Sequence, residues 1–212
     1  LKADLLTPIS KSWSTDVGVE VASLGIQIHG GMGFVEETGV AQFFRDSRIA
    51  PIYEGTNGIQ AIDLVMRKLL ISDGEGLKNF MSEFNNTLSM CIKENNKDFQ
   101  LISKNFSDAF DSVKISTEKL SQRIKSNENY SALFVASDYL NLLGITAGAH
   151  YLIKGALSLK DHENTDFFES KKDMAIFFST QILPNTVGLS KSICSEIFEL
   201  ETKRIDNILG GF

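Results

Sequence analysis

The residues best placed to do chemistry lie in one stretch, Gln27 to Gln60, which reads QIHGGMGFVEETGVAQFFRDSRIAPIYEGTNGIQ. Gly30, Gly31 and Gly33 leave backbone N–H groups unscreened by side chains, so a flat or anionic group can approach closely. The same cluster also suits an ordinary turn. Further along, Pro51-Ile52-Tyr53-Glu54-Gly55-Thr56 sets a single carboxylate among the apolar residues Ile49, Ala50, Pro51, Ile52 and Tyr53. Burial among them would keep water from the carboxylate and suit a general base. A lone Glu before a helix also reads as a solvated or capping residue. Thr56 or Asn57 can cap the helix that follows, whose first N–H groups have no partner of their own.

The elements that must position these residues are predicted to be helices, and the fold class to be all-α. Only Pro8, Pro51 and Pro184 interrupt long runs at helical spacing. Trp13, Val17, Leu24 and Ile28 mark a buried helix over about 13–28, and Lys2–Leu6 already looks helical. Gly30-Gly31-Met32-Gly33 ends that helix, because glycine accepts the positive φ of a C-terminal cap. A second helix is expected over about 36–47, an extended segment over 49–54, and a third helix from Thr56 or Asn57 to about Leu70. Ser72-Asp73-Gly74-Glu75-Gly76 is the best boundary, dividing residues 1–71 from a helical domain over 76–212. Within the latter, helices are expected over about 77–93, 98–127, 130–159, 166–183 and 186–209, the last ended by Gly210-Gly211. Phe99, Phe106, Phe110, Phe177 and Phe178 read as core.

Composition excludes several classes of function. Hydrophobic residues make up 42% and charged residues 23% of the 212 residues, enough apolar material for a sizeable core. The net charge of −6 argues against nucleic acid and against an anionic membrane as partners. No apolar run approaches the roughly 18 residues of a transmembrane helix. Cys91 and Cys194 form no CxxC pair and read as small hydrophobes in a reducing compartment. His150 and His162 lack partners at metal-ligand spacing, so no metal site is expected. His29 reads as a capping residue, Arg45-Asp46 as an ion pair shaping the loop before Tyr53, and Glu36-Glu37 as a helix N-terminal charge pair. Position 1 is Leu rather than Met; with no signal peptide, the chain reads as the C-terminal piece of a longer polypeptide.

Taken together and in order, Gln27, Gly30-Gly31-x-Gly33, Arg45-Asp46, Ile52-Tyr53-Glu54-Gly55-Thr56 and Ile59-Gln60 resemble the acyl-CoA dehydrogenase family over about residues 10–70. The resemblance implies the last helices of that family's C-terminal helical domain and a FAD-dependent α,β-dehydrogenation of an acyl-CoA thioester. The family's catalytic glutamate falls on Glu54, which would take the α-proton while the β-hydride goes to flavin N5. Developing enolate charge at the thioester would be met in the family by the glutamate's own N–H and a flavin ribityl hydroxyl. Gly55 would let the acyl chain and flavin pass close to the backbone, and Thr56 would contact FAD. Gln27, Gly30 and Gly31 match the segment touching the adenosine-pyrophosphate part of a FAD across a subunit interface, which implies a homo-oligomer. The sequence departs from the family at Gly58, where a FAD-contacting Gln is common.

The run from Glu20-Val21-Ala22 through Leu64, with His29-Gly30-Gly31-Met32-Gly33 and Thr56-Asn57-Gly58-Ile59-Gln60, resembles a long-form bacterial subgroup, the 3-(methylthio)propanoyl-CoA dehydrogenases, which carries a helical extension of about the length of residues 76–212. That resemblance implies a cytoplasmic enzyme of fatty acid metabolism with electron-transfer flavoprotein as electron acceptor. Two alternatives stand beside it. One is a noncatalytic helical interaction module that retains the motif; the other is an acyl-CoA oxidase, in which oxygen reoxidises the flavin.

Overall fold

The structure, a computed structural model, describes residues 1–160 and 165–196. Among the described residues it is helical throughout, with no strand. Helix α1 spans Lys2–His29, followed by the single turn α2 (Gly31–Phe34), a 3₁₀ turn at Glu36–Thr38, and α3 (Val40–Ser47). Then come α4 (Asn57–Asp63), which runs into a π-helical turn at Leu64–Lys68, and the long helices α5 (Glu75–Lys93) and α6 (Lys97–Lys125). The short α7 (Asn129–Phe134) precedes α8 (Ala136–Ser158), α9 (Thr165–Phe177), a π-helical turn at Phe178–Ile182, and α10 (Asn185–Cys194).

Packing follows from periodicity. On α5, Leu77, Phe80, Phe84 and Cys91 are buried at alternating steps of three, four and seven; on α6, Phe99, Ile102, Phe106, Phe110 and Val113 do the same. Phe84 sits at the centre, its ring centroid 4.5 Å from Phe80, 5.8 Å from Phe106 and 5.7 Å from Phe110. Helix α8 is apolar on nearly every side and is buried by α1, α4, α5, α6, α9 and α10. One continuous core therefore runs from Leu5 and Ile9 of α1 to Ile193 of α10.

Trp13 is the joint between α1 and α8. Its ring lies across Gly144 and Gly148 of α8 and meets Phe178 edge-on at 6.5 Å. A methyl at Gly144 would collide with the indole.

Buried and half-buried polar groups tie other pairs of helices. The Arg123 guanidinium of α6 donates to the carbonyls of Ile193 at 2.7 Å and Ser195 at 2.6 Å, satisfying the open C-terminus of α10. Lys2 of α1 donates to both carboxylate oxygens of Glu83 on α5 at 2.6 Å. His150 of α8 is 1% exposed; its Nδ1 lies 3.1 Å from the Thr87 hydroxyl and its Nε2 3.8 Å from Glu83. Burial pushes the His150 pKa down to about 4, outweighing the attraction of Glu83. The hydrogen bond from Lys2 holds Glu83 below the usual carboxylate range.

Several local expectations are corrected. Helix α1 starts well before Trp13 and continues through Pro8, whose missing N–H frees only the Asp4 carbonyl, near the helix start. Its C-terminal half is not buried: Val21, Leu24 and Ile28 are exposed, Ile28 at 83%. Gly39, at φ 74°, separates the Glu36–Thr38 turn from α3, so the expected helix over 36–47 is in two pieces. Residues 49–54 are coiled rather than extended, with the Ile52 and Tyr53 N–H groups both donating to the Ile49 carbonyl. Val135, at φ −102° and ψ 8°, breaks the expected helix over 130–159. Phe99, Phe106 and Phe110 are core and Phe178 packs against it, whereas Phe177 is exposed. Helix α10 ends at Cys194, where Ser195 turns extended at ψ 155°, so the expected helix over 186–209 stops early; Gly210-Gly211 and His162 lie outside the described residues. Cys91 and Cys194 are free thiols.

Two expectations follow for stability. Gly144→Ala overpacks the Trp13 joint and should cost about 1–3 kcal/mol in urea unfolding. Gly155→Ala on the same helix meets open space and should stabilise by up to about 1 kcal/mol; equal effects would refute the Trp13 joint. His150 stays neutral in the fold while an unfolded histidine takes a proton near its ordinary value of 6.5. Stability should therefore fall as pH drops from about 6.5 to about 4, a loss that starts above that of Glu83, which sets in as pH falls through the ordinary glutamate value of 4.5. His150→Gln should flatten the profile of urea midpoints between pH 7 and pH 5; parallel profiles would exclude this role.

Candidate functional site

The candidate residues fall into two groups, at the end of α1 and in the loop entering α4. At the first, the Gly30 N–H donates to the Gln27 carbonyl at 3.1 Å and the Gly33 N–H to the Gly30 carbonyl at 2.9 Å. Gly30 adopts φ 59° and ψ −142°, a conformation essentially restricted to glycine. Gln27, Gly30 and Gly31 are exposed, and a Cβ built on either glycine meets nothing within 4 Å. The backbone here is open to a ligand. His29 Nδ1 donates to the Gly25 carbonyl at 2.8 Å, consistent with a capping role. Arg45 pairs with Glu36, through two hydrogen bonds of 2.9 and 2.7 Å, rather than with Asp46. The Arg45–Glu36 fork pins the Glu36–Thr38 turn against α3.

The second group is a tight loop. The Asn57 N–H donates to the Pro51 carbonyl at 3.0 Å and closes it. At its tip, Glu54 (φ 54°) and Gly55 (φ 80°) are consecutive left-handed residues. Gly55 takes this conformation freely, whereas Glu54 carries a Cβ and does so at a steric cost. Thr56 is the N-cap of α4, its hydroxyl accepting from the Ile59 N–H at 3.3 Å. The Gln60 side chain donates to the Glu54 carbonyl at 3.3 Å.

The Glu54 carboxylate is exposed, and so are its neighbours Ile49, Ile52 and Tyr53. The apolar surroundings read from the sequence therefore form an open rim rather than a closed pocket. Among the described residues no hydrogen bond joins this loop to the Gln27–Gly31 segment, so the two groups stand as separate surfaces.

Asn57 does something the sequence did not suggest. Instead of capping α4 it reaches α1: its Nδ2 donates to Asp16 at 2.7 Å, to Thr15 Oγ1 at 3.0 Å and to the Ser12 carbonyl at 3.1 Å. Its Oδ1 accepts from Lys11 at 2.7 Å, and Lys11 also donates to the Gly55 carbonyl at 2.8 Å. An ammonium, which can only donate, and a carboxylate, which can only accept, together fix the orientation of the amide. Lys11 and Asp16 lie more than 40 residues before Asn57 in the sequence. Their spacing on α1 carries no signal of this contact.

The sequence pattern of the family described as "Acyl-CoA dehydrogenase, C-terminal domain" matches residues 2–70. That described as "Acetyl-CoA dehydrogenase C-terminal like" matches residues 80–197, more than half of the chain. The 3-methylmercaptopropionyl-CoA dehydrogenase of Ruegeria pomeroyi is 62% identical over 78 residues, covering 37% of this chain and 13% of that protein. A butyryl-CoA dehydrogenase of Syntrophomonas wolfei is 25% identical over 194 residues, covering 88% of this chain and 31% of that protein. Acyl-CoA dehydrogenase family member 11 of Caenorhabditis elegans is 36% identical over 61 residues, 29% of this chain and 10% of that protein. The chain thus spans less than a third of the length of each. With one family pattern across its first helices and a second across the bundle that follows, the chain belongs to the acyl-CoA dehydrogenase family.

Proposed function

We propose that this chain supplies the base and part of the cofactor site of a FAD-dependent acyl-CoA dehydrogenase, as the C-terminal part of a longer polypeptide. The observation that carries the reading is the presentation of Glu54. A single carboxylate stands at the tip of a left-handed turn locked at both ends, inside the residues that match the family. Glu54 takes the α-proton of the acyl-CoA thioester, and FAD, when bound, supplies the acceptor of the β-hydride at flavin N5. Gly55 allows close passage of the acyl chain beside the turn. The residues present fit the cofactor: Gln27, Gly30 and Gly31 offer an exposed backbone with no side chain in the way, and Thr56 stands beside the base.

The proposed base needs a dry site, since exclusion of water strengthens every electrostatic interaction there. In this chain the rim of Ile49, Ile52 and Tyr53 is half of such a site, and the proposal requires it to be covered in the assembled enzyme. The same holds for the apolar faces of Ile28, Phe34 and Phe43, exposed at 83%, 80% and 72%, which suit contacts in a homo-oligomer. These faces also support the alternative reading, a noncatalytic interaction module. In the enzymatic reading the electrons pass on to electron-transfer flavoprotein, the compartment is the cytoplasm, and residues 76–212 form an additional helical domain beside residues 1–71. Among the described residues no helix is long and apolar enough to cross a membrane.

The test is a visible absorbance spectrum of the complete polypeptide, recorded anaerobically before and after adding butyryl-CoA or 3-methylmercaptopropionyl-CoA. A flavin band that bleaches is expected. Its absence from folded protein supplied with FAD would favour the interaction module, and hydrogen peroxide released in air would indicate an oxidase. Glu54→Gln should retain the flavin band and lower turnover by at least about a hundredfold; a variant that turns over normally would remove Glu54 from the role of base.

A further inference from the structure

We propose that Lys11 is a positioning residue for Glu54, holding the turn that presents the carboxylate in fixed register with α1. The inference rests on the reading of Glu54 as the base. Besides the Asn57 side-chain bonds to α1, three hydrogen bonds land on the backbone of the turn. The Asn57 N–H on the Pro51 carbonyl (3.0 Å) and the Gln60 amide on the Glu54 carbonyl (3.3 Å) are local and close the loop on itself. The hydrogen bond from Lys11 to the Gly55 carbonyl, at 2.8 Å, comes from another helix. It lands on the peptide that leaves the two left-handed residues, where the chain is most prone to relax.

The ammonium is itself oriented. It shares the Asn57 Oδ1 at 2.7 Å, and the same amide donates to Asp16 at 2.7 Å, so a cation, an amide and a carboxylate are joined through hydrogen bonds. Lys11 and Asp16 therefore stabilise each other through Asn57, and a charge-assisted donor faces the Gly55 carbonyl. Without that donor the local ties still close the loop and the Asn57 amide still holds the start of α4 to Ser12, Thr15 and Asp16, but the Gly55 carbonyl at the tip loses its tie to α1. Proton abstraction from carbon tolerates little displacement of the base, so the loss falls on the chemical step rather than on binding.

The experiment compares Lys11→Met, Lys11→Arg and Glu54→Gln in the complete polypeptide with butyryl-CoA and 3-methylmercaptopropionyl-CoA. Lys11→Met keeps the length of the side chain and removes the donor. It should lower kcat by about 10- to 100-fold with KM, flavin absorbance and thermal midpoint unchanged. Amide hydrogen exchange across residues 52–58 should speed up in the same variant, a readout that needs no turnover. Lys11→Arg retains a donor and should restore most of kcat and of the protection. Unchanged kcat and exchange in Lys11→Met would overturn the proposal. So would a loss that comes with flavin release or a lowered midpoint and is not rescued by arginine, which would mark a general structural role. Normal turnover in Glu54→Gln would overturn instead the assignment of the base, while the exchange data would still report the tie.

Discussion

The seating of Trp13 on Gly144 and Gly148 is the contact on which the rest of the arrangement depends. Helix α8 is apolar around most of its circumference and leaves only a narrow face with Asn141, Lys154 and Gly155 to water, so other helices must cover the rest, and α1 is one of them. Ridges and grooves alone would allow α1 to slide along α8. A large flat ring in a notch cut by the missing side chains of two glycines allows one register. That register places Lys11, Ser12, Thr15 and Asp16 opposite the start of α4, where they meet Asn57. The position of the Glu54 carboxylate thus traces back, through Gly55, Asn57 and Lys11, to the packing of two helices.

The two ends of the molecule solve the burial problem differently. Around α5, α6 and α8 the aromatic stripes meet one another, and Arg123 of α6 meets carbonyls at the end of α10. The segment from Val21 to Ile62 instead leaves large apolar side chains at the surface, among them Ile28, Phe34, Phe43 and Ile52. Large apolar side chains exposed in such number suit contacts with other protein. The chemistry-bearing residues lie within the same segment, next to the face that invites a neighbour. This juxtaposition suits a site completed by other protein rather than one closed within this chain.

His150 shows how a buried polar residue can be structural. Its ring is wedged among Phe80, Phe84 and Tyr151 and kept neutral by burial, with Thr87 at one nitrogen and Glu83 near the other. Together with Lys2 it joins α1, α5 and α8 where their first turns and middles cross. A histidine with no metal partner in sequence thus serves the packing of three helices.

By itself, the sequence determined what depends on near neighbours. Stripes at steps of three and four produced helices, Gly30 ended α1, Thr56 or Asn57 was marked as the cap of α4, and the order of Gly30, Gly31, Glu54, Gly55 and Thr56 pointed to one family. These are short-range matters of backbone sterics, capping and periodicity, and they survive without knowledge of the fold. Only the tertiary structure decided which faces were covered and which polar groups met. The periodicity of Val21, Leu24 and Ile28 promised burial equally well whether or not a partner helix was present, and here they are exposed. Arg45 chose Glu36 over the adjacent Asp46 because the Glu36–Thr38 turn folds back onto α3, and neighbours in sequence on a helix do not face each other. The link from Lys11 to Gly55 spans 44 residues and exists because α1 and α4, far apart in sequence, pack directly against each other. Long-range polar contacts are consequences of packing, and packing is a property of the whole chain.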